Sequence, residues 1–194
     1  MLDLSNARVT PLARLEAAAR AEVTIAAAPA AARFILRGTD CASAAGTAFG
    51  VVLPAVPCGA AESGERAALW LGPDEWLLLA PAAETEALQE ALHNSLAGYP
   101  HALVDVSHRQ VALIVEGAGA ATVLNSGTPL DLSIDSFPAG MVARTIFDKA
   151  EIVLWRCAAG RFRIEIWRSF SPYVLALLEM ARNDAAACER QAER

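Results

Sequence analysis

Asp105, Ser107 and His108 bring together, within four positions, the three side-chain types of a nucleophile, its base and the carboxylate that orients the base. Their spacing works against that chemistry. In an extended segment residues i and i+2 share a face while i+3 points to the other, so His108 cannot take a proton from Ser107 while Asp105 orients it. The pattern predicts instead that Asp105 and Ser107 bond backbone groups at a strand entry, with Arg109 left to pair with Asp105 or to face a partner. Gly117-Ala118-Gly119-Ala120-Ala121 raises a different chemistry, for it follows a strand and opens a helix with Asp135 about 18 residues on, as a dinucleotide-binding turn would. Thr122 stands at its third glycine position, where a branched side chain hinders close helix-to-strand packing, and no parallel strand follows promptly. A tight turn into a helix remains.

Metal and redox chemistry fare no better. Cys41, Cys58, Cys157 and Cys188 show no CxxC spacing, and His93, His101 and His108 no HxxxH spacing, so no zinc site is expected. No apolar stretch follows a basic start at the N-terminus, which predicts no signal peptide and reduced thiols in a cytoplasm.

The elements that must position any site come from two stretches that read as one unit written twice, about 85 residues apart. In the first, Leu69-Trp70 leads through Gly72-Pro73-Asp74-Glu75 into Trp76-Leu77-Leu78-Leu79-Ala80 and a helix. In the second, Leu154-Trp155 leads through Ala158-Ala159-Gly160 into Phe162 to Trp167 and a helix opening at Ser171-Pro172. Upstream, Arg33 to Gly38 resembles Ala112 to Gly117, each a strand running into small residues. The expected fold class is therefore α/β (α+β), in two strand-helix-strand-strand-helix halves.

Alternation and β-branched or aromatic enrichment predict strands at Arg33 to Arg37, Ala68 to Leu71, Glu75 to Ala80, Gln110 to Glu116, Val142 to Phe147, Ile152 to Arg156 and Arg161 to Arg168. Ala83 to Ala97 reads as a helix with Leu88, Leu92 and Leu96 on one face and a Gly98, Pro100 stop. Ser171 is the expected N-cap of a second helix, with Pro172 at its first position and Val174, Leu177, Leu178 and Ala181 on one face. Cys41 to Ala61 is uncharged and long enough to span a bilayer, but is mostly Ala and Gly with Pro54 and Pro57 in its second half. It reads as a small-residue helix, then a strand at Val51-Val52-Leu53 and a proline turn, not as a membrane span.

Residues 1–32 are expected to be an arm or a short helix over Pro11 to Glu22, 33–182 a single domain, and 183–194 a polar tail that frays. The chain has 194 residues, 55% of them hydrophobic, which suits one well-buried domain. A net charge of −6 excludes a nucleic-acid partner, since no basic stripe is available to neutralise phosphates. Trp70, Trp76, Trp155 and Trp167 are expected to fill space between sheet and helix, the alternative being anchors of an interface. Arg161, Arg163 and Glu165 alternate with Phe162, Ile164 and Ile166, a half-buried strand whose polar face meets water or another protein.

Leu71-Gly72-Pro73-Asp74-Glu75-Trp76-Leu77-Leu78, then Asp105-Val106-Ser107-His108-Arg109, then Asn125 to Leu132 with Gly127 and Asp131-Leu132, then Arg168-Ser169-Phe170-Ser171-Pro172-Tyr173 resemble, in order and spacing, the gamma subunits of heterotetrameric sarcosine oxidases. The resemblance runs from about Arg33 to Met180. It implies a fold similar to the folate-binding domain of the glycine cleavage aminomethyltransferase, with ferredoxin-like strand and helix order. It also implies a non-catalytic subunit, in a cytoplasmic complex that oxidises sarcosine to glycine with hydrogen peroxide formation and passes the one-carbon unit to tetrahydrofolate. NAD and tetrahydrofolate are then expected on an alpha subunit, FAD on a beta subunit, FMN covalently between alpha and beta, and zinc on a small delta subunit. No catalytic, cofactor-binding or metal-binding residue is expected on this chain. Aminomethyltransferases carry a Gly-rich turn and paired aspartates where this chain has Asp148-Lys149-Ala150-Glu151-Ile152, which argues against an independent folate enzyme. The alternatives are such a free-standing enzyme, or the same subunit role with another N-methyl amino acid such as N-methylglutamate. The mean hydropathy of +0.33 and the thin N-terminal helix predict a permanent partner surface, with Arg109, Arg161 and Arg163 as candidate contact residues.

Overall fold

The computed structural model describes residues 23–192, with side chains to residue 187, so the helix expected over Pro11 to Glu22 lies outside the described residues. The chain divides into two compact units. One comprises Pro29–Ser107 with Gly140–Ala143; the other takes in the stretch ending at Ala28, His108–Ala139 and Arg144 onward.

The first unit holds strands β2 (Ala31–Arg37), β3 (Ala60–Ser63), β4 (Arg66–Gly72), β5 (Glu75–Pro81) and β6 (Ala102–Asp105), with helices α1 (Ala42–Phe49) and α2 (Thr85–Leu96). They form an antiparallel sheet in the order β3-β4-β5-β2-β6. The second unit holds β1 (Thr24–Ala27), β7 (Gln110–Glu116), α3 (Ala120–Asn125), β8 (Val142–Phe147, from Arg144 onward in this unit), β9 (Ala150–Ala158), β10 (Arg161–Trp167) and α4 (Ser171–Ala192). Its sheet runs β1-β7-β10-β9-β8. Read from β8, this is the first order again: β8, β9, β10 and β7 take the places of β3, β4, β5 and β2, and β1 that of β6. Both units are thus strand-helix-strand-strand-strand-helix with one added edge strand. The two tryptophan-bearing hairpins, β4-β5 and β9-β10, hold equivalent positions, each followed by its helix.

Patterning explains most of the packing. On β2 and β5 the residues Phe34, Leu36, Trp76 and Leu78 turn to the helical side, where Leu88, Leu92 and Leu96 of α2 and Ala45 and Phe49 of α1 join one buried cluster. Truncating a fully buried leucine such as Leu92 to alanine is worth about 2–5 kcal/mol. Helix α1 ends at Gly50, whose φ of 78° is left-handed and whose amide donates to Gly46 O at 2.8 Å.

Two expectations need correction. Val51-Val52-Leu53 is not a strand: after the Gly50 cap the chain runs as a loop that buries Val51 and Leu53 in the same cluster, and the Trp76 indole N–H donates to Pro54 O at 2.9 Å. Ser171 does not cap α4 forward; its hydroxyl donates back to Arg168 O at 2.9 Å, closing the turn from which the helix starts. Helix α4 runs on from Ser171 through the polar, alanine-rich end to Ala192. The longest uncharged stretch contributes only the eight-residue α1, and among the described residues no helix is long and apolar enough to cross a membrane.

Candidate functional site

The three arginines singled out as contact residues sit on the β7-β10 ladder of the second unit, and the ladder separates them. Arg161 pairs with Glu116 and Trp167 with Gln110, so Arg161 and Arg109 mark opposite ends, about 20 Å apart at the rise of a strand. At one end, Arg161 Nε lies 3.9 Å from Glu116 Oε2 with both side chains half exposed, a pair worth well under ~1 kcal/mol. In the middle, Arg163 Nε donates to Glu165 Oε1 at 2.7 Å, and this arginine is largely enclosed.

At the other end the guanidinium of exposed Arg109 stacks over the Trp167 ring, 4.6 Å from its centroid, while Arg168 N–H donates to Arg109 O at 2.8 Å. Trp167, Phe170 and Tyr173 are 37%, 41% and 38% exposed. A reverse turn gathers them, with Phe170 N–H on Trp167 O at 2.8 Å and Val174 N–H on Phe170 O at 3.0 Å. The Tyr173 hydroxyl donates to Asp148, which sits at a φ of 51° in the β8-β9 turn. This bond favours the protonated phenol and pushes its pKa up. Half-exposed aromatic rings beside an arginine are the side chains that anchor protein interfaces.

Core packing holds for Trp76 and Trp155, which are buried; Trp167 departs from it. The signal was available in the alternation, because Trp167 shares the face of Arg161, Arg163 and Glu165. Phe170 lies between serines in a turn, where a large ring has no sheet to fill.

The motifs that could have carried chemistry resolve as backbone devices. Asp105 Oδ1 accepts from the Ser107 amide at 2.8 Å and the Ser107 hydroxyl at 2.5 Å, and Ser107 Oγ accepts from Arg33 N–H at 2.9 Å, which ties the end of β6 to β2. His108 is exposed beyond them. The Gly117 to Ala121 turn leads from β7, whose ladder partners β1 and β10 are both antiparallel, so no parallel strand pair frames it. Cys41 is buried, and its burial pushes the thiol pKa up, away from the reactive thiolate. Among the described residues no group of three or more His, Cys, Asp or Glu is placed to hold a metal ion.

Comparison with known proteins bears on the assignment. Residues 37–186 match the model of the sarcosine oxidase gamma subunit family. Sarcosine oxidase subunit gamma of Corynebacterium sp. (strain U-96) is 32% identical over 200 aligned positions, covering 97% of each chain, and its counterpart from Arthrobacter sp. is 37% identical over 50% of this chain and 46% of its own. Among solved structures, a chain of heterotetrameric sarcosine oxidase from Corynebacterium sp. U-96, in complex with pyrrole 2-carboxylate, matches with a TM-score of 0.84 at 30% identity, over 92% of this chain and 96% of that one. Aminomethyltransferase T of the glycine cleavage system from Bartonella henselae matches with a TM-score of 0.64 at 13% identity, over 82% of this chain and 46% of its own, a likeness of fold. The chain belongs to the sarcosine oxidase gamma subunit family.

Proposed function

We propose that this chain is the non-catalytic gamma-type subunit of a cytoplasmic heterotetrameric sarcosine oxidase, which demethylates sarcosine oxidatively to glycine and passes the one-carbon unit to tetrahydrofolate. The observation that carries the reading is the end-to-end correspondence with a chain of a heterotetrameric enzyme, at a TM-score of 0.84 over 92% and 96% of the two chains. Alpha, beta and delta subunits are the partners, and FAD, FMN, NAD, tetrahydrofolate and zinc belong to them. This chain supplies a surface: Arg109 with the Trp167, Phe170 and Tyr173 rings at one end of β10 and half-exposed Arg161 at the other, while Arg163 between them is enclosed in its pair with Glu165 and presents little of itself to a partner. Residues 33–182 carry the assembly as one functional domain, with part of 1–32 joining the interface. The free-standing aminomethyltransferase-like reading is weaker, since residues 37–186 match the gamma subunit family while the aminomethyltransferase likeness, at 13% identity, is one of fold.

Capture of a tagged copy of this chain from cells co-expressing all four subunits tests the reading. A yellow, sarcosine-oxidising, peroxide-forming complex is the expected product. A tagged chain that emerges alone and itself moves a one-carbon unit onto tetrahydrofolate would overturn it.

A further inference from the structure

In the sheet of the first unit, β6 is an edge strand with a defined set of open backbone groups. Val106 N–H donates to Arg33 O at 2.8 Å, and backbone groups alternate sides along an antiparallel strand. Val104 and Ala102, two and four residues earlier, therefore face β2, and the N–H and C=O groups of Leu103 and Asp105 face outward. These four groups have no hydrogen-bond partner among the described residues. The opposite edge is different, for Gly59 bridges Met141, and Ala60 N–H donates to Gly140 O at 3.0 Å.

Beside the open edge lies a groove of about 400 Å³ between α2 and β6. Leu103 and Asp105 line it from the strand, and Glu86, Glu90 and His93 from the helix. Its lining holds three carboxylates and no lysine or arginine. Glu86 and Glu90 are one helical turn apart and exposed.

We propose that one extended segment of a partner subunit docks here, adding to β6 as a sixth strand and setting lysine or arginine side chains against Glu86, Glu90 and Asp105. The proposal rests on the subunit role given above. An added strand supplies donors and acceptors in the spacing that Leu103 and Asp105 present, and its alternate side chains fall on the groove side, where those two residues also point. A basic residue there meets opposite charge, whereas an acidic one is repelled. A second copy of this chain fits less well, since each carries a net charge of −6.

Hydrogen exchange read at residues 102–105, in the chain alone and in the assembled four-subunit complex, tests the proposal. The amides of Leu103 and Asp105 should exchange at least about tenfold more slowly in the complex, while the Val104 amide, already bonded to β2, is slow in both. The Glu86→Lys/Glu90→Lys double variant, altered only at exposed positions, should weaken assembly about tenfold at low salt and less at high salt. A complex that forms with both edge amides as fast as in the free chain overturns this docking and leaves the subunit role standing; no complex at all removes both. Protection already present in the free chain and lost on deleting residues 1–22, or protection that grows with its concentration, would give the edge to the chain's own N-terminal segment or to a second copy, and would equally overturn the proposal.

Discussion

Arg163 and Glu165, two residues apart on one face of β10, form an enclosed ion pair: Nε and Oε1 are 2.7 Å apart, and the side chains are 15% and 1% exposed. The register sets this pair opposite Trp155 and Val153 on β9 and Ile114 and Ala112 on β7, so it lies among apolar neighbours. Arg163→Met, which leaves the buried carboxylate without its adjacent guanidinium, should lower the unfolding free energy by about 3 kcal/mol. Arg161→Ala should cost under about 1 kcal/mol. Denaturant midpoints of the two variants measure the contrast, and equal shifts would mean that burial of the pair does not govern its worth.

Arg109 and Trp167 should matter for association more than for folding. Trp167→Ala and Arg109→Glu should each weaken binding of an alpha-type subunit by about 2 kcal/mol or more, roughly thirtyfold. Surface plasmon resonance reads the affinity, and a thermal melt shifted by only a few degrees separates lost contact from lost fold.

The Tyr173 to Asp148 bond sets a pH signature. The phenol pKa is raised in the folded chain, so the stability it contributes is complete below the unfolded value near ~10 and is lost as pH rises through the folded one. Tyr173→Phe should therefore lie below the wild type in stability by a constant amount between pH about 7 and 9, and the two should converge at more alkaline pH. Alkaline difference spectra of the wild type against Tyr173→Phe should show Tyr173 titrating above the ordinary phenol range.

Gly127 packs against a ring with no room for a methyl group. A Cβ there would fall 2.6 Å from Cε2 of Phe147, which is buried, and Gly127 O accepts the Asp148 amide at 2.6 Å. Gly127→Ala should destabilise the chain by about 1–3 kcal/mol and loosen the turn that holds Asp148 against Tyr173. Unfolding titrations measure the first effect, and a lowered tyrosine pKa the second.

The strands readable from sequence are those whose alternation or apolar run is long: β2, β4, β5, β7, β8, β9 and β10. Those that escaped, β1, β3 and β6, have four residues each, and alanine fills much of β1 and β3. Their pairing comes from neighbouring strands rather than from local preference. The duplication was visible because tryptophan hairpins recur, but the matching roles of β6 and β1 at equivalent edges were not, since one follows its unit's helices and the other precedes them. For the candidate surface, sequence reached Arg109 but left Trp167 between core and interface: the period of two assigns Trp167 a face without saying which neighbours cover it. Likewise, the alternation on β10 assigns Glu165 to a polar face meeting water or another protein, whereas Glu165 is buried within the chain itself.

Size-exclusion chromatography with light scattering, run on the chain alone and after mixing with an alpha-type flavoprotein subunit, tests most directly whether this chain exists to be assembled. A free chain that self-associates or aggregates, and a mixture that gives one discrete flavin-absorbing species containing both subunits, is the predicted result. A well-behaved monomer that elutes unchanged beside the alpha subunit would contradict it.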